Sequence, residues 1–299
     1  MAKLKIVSDG DPHPALAGNN LVDETSEREF TDAFSILDQS HNFDITYRAG
    51  TNSDEPEAIN PSLPIGITTN GVVIYSSAAS GSSLPSSSSI APNGYNWDMG
   101  FSGFSTNFPL DPCGGKADDI SGEYRYRTGN FHTKGMASSG FVDSSTYYSA
   151  TGAFGNTNLD RLRHGTLNHN GTDYTTGHSR IVGWAFDGYP IYGPYGFSNP
   201  LDPTSSVVRM RSSYELRSPT NILPGRPPFS QVSNGSFVQD YVFDLTTGTL
   251  DSHNGRFCIT PDYKQGTYAY FLTFSDSGIV DPEYPYIIGP STKQQRVLL

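Results

Sequence analysis

The residues best equipped for chemistry gather in one stretch of the chain: His164, His169 and His178, with Asp173 and Asp187 nearby. Neutral imidazole and carboxylate together can hold a transition metal or relay protons. The histidine intervals of five and nine residues match neither the helical HExxH pair nor a compact H-x-H pair on a strand. Surface or hydrogen-bonded structural histidines are the alternative. Asp118, Asp119 and Glu123 form a second group of hard oxygen ligands, suited to calcium, but without the D-x-[DN]-x-[DN]-G register of a calcium loop. Solvated loop charge is the plainer reading. No G-x-S-x-G elbow, S-x-x-K pair or P-loop marks a nucleophile or a phosphate cradle. No catalytic residue is therefore assigned and no cofactor is expected, calcium and a transition metal being the candidates should one bind.

Two further groups are candidates for binding. Asp187, Tyr189, Tyr192 and Tyr195 combine aromatic bodies with polar tips, which suits sugars and protein interfaces, or packing inside a β protein. His253, Asn254 and Arg256 make a polar cluster that serves recognition or a structural turn. Tyr124, Arg125, Tyr126 and Arg127 alternate as on a strand, where the arginines would pair with carboxylates or stack on aromatic rings.

These residues have to be positioned by strands. The runs 65–75 and 181–192 each read as a hairpin, with Asn70-Gly71 and Asp187-Gly188 between apolar segments; a type I′ turn is expected for such pairs. Aligned on the turns, Ile65-Gly66 matches Val182-Gly183 and Ile74-Tyr75 matches Ile191-Tyr192, which favours an internal duplication. Residues 43–47, 237–244 and 267–274 have strand composition, while 27–37 suits one or two turns of helix. The serine-rich tract 76–89 is too polar for a core and reads as an exposed loop.

Gly 31, Pro 21, Tyr 18 and Phe 17, beside only 16% charged residues, describe short strands joined by tight turns. The fold class is mainly β, a sandwich or barrel-like domain with long loops. Residues 1–63 form an N-terminal extension or attachment region, 64–290 the β domain and 291–299 a tail. A net charge of -11 removes the clustered cations that nucleic-acid binding requires. No run approaches the roughly 20 apolar residues of a membrane span. The polar and acidic turn after Ser8 does not continue as the apolar core of a signal peptide. Cys113 and Cys258 either pair or sit as buried thiols.

Four blocks in order resemble the YHYH-domain family: IGITTNGVVIY at 65–75, GWAFDGYPIYGPYGF at 183–197, LDSHNGRFCITPDY at 250–263, and GTYAYFLT at 266–273 with its YPYIIGP ending. The resemblance covers about 62–290. It departs at the family's naming motif, where Asp111-Pro112-Cys113-Gly114-Gly115 is followed by Tyr124-Arg125-Tyr126-Arg127, arginine standing for each histidine. Guanidinium stays charged and only donates, so a metal or acid-base role of those histidines would not carry over. The resemblance implies a virion structural protein of the kind found in phages of marine cyanobacteria. Other virion proteins, further copies of the chain and a host surface glycan are the expected partners. A phage protein is made in the host cytoplasm and leaves by lysis without a signal. The rival readings are a bacterial metal-binding protein or metal-dependent enzyme using 164–187, and a glycan-binding module.

Overall fold

The computed structural model describes residues 3–10, 37–48, 53–69, 71–76, 115–118, 121–127, 178–230, 232–274 and 283–296. The chain is mainly β, and its strands are β1 Lys3–Ser8, β2 His41–Thr46, β3 Glu57–Ala58, β4 Pro64–Thr68, β5 Val73–Tyr75, β6 Gly115–Ala117, β7 Tyr124–Tyr126, β8 Ile181–Ala185 and β9 Pro190–Tyr192. After them come β10 Tyr195–Phe197, β11 Val207–Arg209, β12 Tyr214–Leu216, β13 Tyr241–Phe243, β14 Gly255–Cys258, β15 Thr267–Phe271 and β16 Ser291–Thr292. Eight of these strands build one open sheet in the order β14-β15-β9-β8-β4-β5-β7-β6, and the others pair as four two-stranded ribbons. Among the described residues the sheet does not close into a barrel.

The sheet is built twice. From the central β8-β4 pair outwards, each half is an antiparallel hairpin, then a parallel neighbour, then an antiparallel edge strand. Across the centre Gly66 faces Ala185, Ile67 faces Trp184 and Thr68 faces Gly183, a self-complementary register like that of a two-fold dimer interface. Both hairpins carry an irregularity at the same place, between Pro64 and Gly66 and between Ile181 and Gly183. The edges agree as well: Gly115 faces Tyr126 on β6-β7, and Gly255 faces Tyr270 on β14-β15. The duplication read from the hairpins thus extends to the whole sheet and equates Tyr124-Arg125-Tyr126-Arg127 with Tyr268-Ala269-Tyr270-Phe271.

Both faces of the sheet are covered. On one, Ile65, Ile74, Tyr124, Tyr126, Ile191, Tyr268 and Tyr270 pack with Tyr284, Tyr286 and Ile287. On the other, the β1-β2 ribbon lays Ile45 over Ile67 and Phe186 at the centre, and Met210 and Leu250 cover Tyr192 and Phe271 at the β9-β15 end. Burying aromatic side chains of this size supplies much of the driving force for such a sheet.

Several expectations need correction. The second hairpin is not a type I′ turn. Of the Asp187-Gly188 pair only the glycine takes a positive φ, +96°, and Gly188 N–H donates to Ala185 O at 2.9 Å. That is a three-residue loop with a left-handed glycine. The stretch 237–244 is a strand only over Tyr241–Phe243, because Val238–Asp240 curls into a 3-10 turn. The Asp240 carboxylate draws in the Gly235 and Phe237 N–H groups at 2.9 and 3.2 Å, which bends the chain there. Outside 64–290, the two flanking segments pair with each other, β16 with β3 and Arg296 Nη2 donating to Glu57 Oε1 at 2.9 Å, and Lys293 N–H donates to Tyr270 Oη on the sheet at 2.6 Å. The expected helix at 27–37 and loop at 76–89 lie almost wholly outside the described residues.

Candidate functional site

Period-two alternation on β7 sends Tyr124 and Tyr126 into the core and leaves Arg125 half-buried on the opposite face. Its Nε donates to Glu123 Oε2 at 2.5 Å and its Nη1 to Asp118 Oδ2 at 2.6 Å. The guanidinium lies 4.4 Å from the centre of the Tyr75 ring, and that of Arg127 lies 5.9 Å from it. Arg127 Nη1 donates to Ser76 O at 2.9 Å. Asp118 is itself pinned, since its Oδ1 accepts from Ser121 N–H and Oγ–H at 3.0 and 2.9 Å.

Electrostatics follow from this crowding. Burial pushes the Tyr75 hydroxyl up to about 12, and that hydroxyl donates to Glu123 Oε2 at 3.1 Å. His41 Nε2 is 3.5 Å from Glu123 Oε1, yet burial holds the imidazole below its ordinary value. Burial, then the neighbouring Arg125 charge, lowers Arg127. The arrangement is two donor-only cations and a ring wall. The guanidinium groups offer donors and no acceptors, and Glu123, Asp118 and the Tyr75 hydroxyl stand against Arg125. Of the three calcium candidates, the Asp118 and Glu123 carboxylates are both bound by Arg125, and Asp119 lies outside the described residues.

The other expected site residues fall elsewhere. His178 is buried, its Nδ1 2.7 Å from Ser179 O and its ring against Tyr192, Phe197 and Phe271. Burial drives its pKa down to about 4. Asp187 is buried too, and its Oδ2 accepts from Tyr270 Oη–H at 2.5 Å. Burial raises its carboxyl to about 6. Tyr270 and Phe271 alternate on β15, so His178 and Asp187 serve opposite faces of the sheet and do not meet. Among the described residues no three His, Cys, Asp or Glu side chains gather to hold a metal; His164, His169 and Asp173 lie outside them.

Tyr189 and Tyr192 are both fully buried and do not line an outer surface, while Tyr195 is half-buried on β10. Tyr192 donates to Asp262 Oδ2 at 2.9 Å, a counterpart of the Tyr75 contact with Glu123. His253 Nδ1 lies 2.9 Å from Ser291 Oγ. Asn254, at φ +65°, donates from Nδ2 to Phe271 O at 2.9 Å and Ile287 O at 3.1 Å. Arg256 Nη2 donates to Phe197 O at 2.5 Å. These three staple the β14 turn to its neighbours. Cys258 is a buried free thiol, raised to about 11 by burial, and Cys113 lies outside the described residues.

Sequence reasoning missed Tyr75 and His41 as members of the arginine cluster. The signal for Tyr75 was present in its match to Tyr192. His41 carried none, because its approach depends on the ribbon folding back over the sheet.

These features define a class: an open, internally duplicated β-sheet protein whose first half carries a tyrosine-arginine strand with a charged face. The YHYH protein family model matches residues 42–281, and the chain belongs to that family. No curated protein and no solved structure matches it.

Proposed function

We propose that the protein is a non-enzymatic structural or recognition component of a tailed-phage virion, in the tail, baseplate, fibre or capsid surface. The observation that supports this reading is the fate of the family's naming motif. Its two histidine positions hold Arg125 and Arg127, the first clamped by Glu123 and Asp118, with guanidinium groups 4.4 and 5.9 Å from the centre of the Tyr75 ring. Groups of this kind hold partners and backbones in place; they do not cycle protons or bind metal cations. The partners are other virion proteins and further copies of the chain, with a host surface glycan as the target if the particle position is adhesive. Mass spectrometry of purified virions is the test. The chain is expected in the particle at a fixed stoichiometry, and its absence from clean virions would end this reading.

A further inference from the structure

We propose that the Nε and Nη2 edge of Arg127, beside Arg125 and Tyr75, is a binding site for a small oxyanion: a carboxylate, a sulfate or a phosphate. This rests on the geometry of the cluster and not on the virion reading.

A guanidinium carries five N–H donors, and its Nε and Nη2 edge forms a fork that matches two oxygens of one anion. Arg127 uses Nη1 on Ser76 O and stands near the Tyr75 ring, and among the described residues no carboxylate lies within ion-pair distance of it. The neighbouring carboxylates are engaged. Arg125 holds Glu123 and Asp118 at 2.5 and 2.6 Å, and Glu123 also accepts from Tyr75. Among the described residues, Arg127 therefore stands beside a second cation with no carboxylate paired to it, Asp118 acting on it only from a distance, a setting that favours an anion. Burial lowers its pKa in the same sense.

The duplicated half supplies an independent observation. At the position equivalent to Arg127 it places Phe271, buried and stacked 5.7 Å from Tyr192, with Ala269 in the place of Arg125. There the phenyl ring packs under Met210 and Leu250, and the Arg256 guanidinium, 5.6 Å from the ring centre, donates to Phe197 O. A cation at the Arg127 position costs desolvation that a phenyl ring at the Phe271 position does not. The anion recovers that cost.

The test is isothermal titration of the full chain with sulfate, phosphate and glucuronate, sodium chloride holding ionic strength constant. Wild type is expected to bind at least one of them saturably, and Arg127→Gln to weaken it roughly tenfold or more, the loss of a charge-assisted contact. Glucuronate alone would mark a carboxylated sugar; sulfate or phosphate would mark a free or esterified inorganic anion. No saturable binding of any of the three by wild type, or equal binding by a folded Arg127→Gln, overturns the site. Should circular dichroism show that variant unfolded, Arg127→Lys keeps the charge and loses the fork; unchanged affinity in it would overturn the bidentate site equally.

Discussion

His178 and Asp187 set up opposed pH dependences on the two faces of one sheet. His178 falls from 6.5 unfolded to about 4 folded, so the unfolded chain binds the extra proton and stability is lost as pH drops through that window. Asp187 rises from 3.8 to about 6, so the folded chain binds the extra proton and stability is lost as pH climbs between those values. Each displacement is worth about 3 kcal/mol across its window, and the two largely cancel between pH 4 and 6. Removing one group uncovers the other. Relative to wild type, His178→Phe should gain about 3 kcal/mol on going from pH 6.5 to pH 4, since a phenyl ring keeps the packing on Tyr192, Phe197 and Phe271. Asp187→Asn should lose about the same amount over that interval, whatever its absolute stability. Urea unfolding at pH 4, 5, 6 and 7, with constant m-values, reads both differences. Background carboxylates cancel in the comparison with wild type. A variant-minus-wild-type gap that stays flat with pH, to within about 1 kcal/mol, would refute the burial argument for that residue.

Two further predictions follow from packing. The sheet centre has no room beside either glycine, because a Cβ at Gly66 would lie 2.7 Å from Trp184 O and one at Gly183 would lie 2.7 Å from Ile67 O. Gly66→Ala and Gly183→Ala should each destabilise by roughly 1–3 kcal/mol in urea unfolding, and a neutral result for either would break the proposed equivalence of the two halves. Arg226 is buried with Asp240, donating to its two oxygens at 2.5 and 2.8 Å and to Pro227 O, Val232 O and Ser233 O. Arg226→Met strands that carboxylate and should cost roughly 3–5 kcal/mol by the same assay, whereas a loss under about 1 kcal/mol would show that the pair is not structural.

The hairpins, the mainly β class and the alternation at 124–127 were legible because each is a local pattern: apolar runs around a glycine turn, and side chains of period two. The duplicated edges were less so. Asp111 stands four residues before Gly115 as Asp251 stands four before Gly255, and Tyr-x-Tyr follows in both places, but connections of different length intervene and the partner strands β5 and β9 lie far away in sequence. The arginine cluster was legible only in part, since Tyr75 and His41 reach it through long-range pairing that no local period encodes.

Comparing the two halves separates what the fold needs from what the site adds. The inward tyrosines are preserved in kind and geometry: Tyr124 meets Tyr126 edge-on at 5.3 Å, and Tyr268 meets Tyr270 edge-on at 5.3 Å. Beside them, an added Cβ on Gly115 would strike the Tyr124 ring as one on Gly255 would strike that of Tyr268. A feature kept in both copies is what the sheet itself demands. The outward positions are where the copies part, with Arg125 against Ala269 and Arg127 against Phe271. One copy packs Ala269 and Phe271 under Met210 and Leu250, while the other carries Arg125 and Arg127. That asymmetry puts the difference between the copies on the charged face of the first half, the face on which the anion site is proposed.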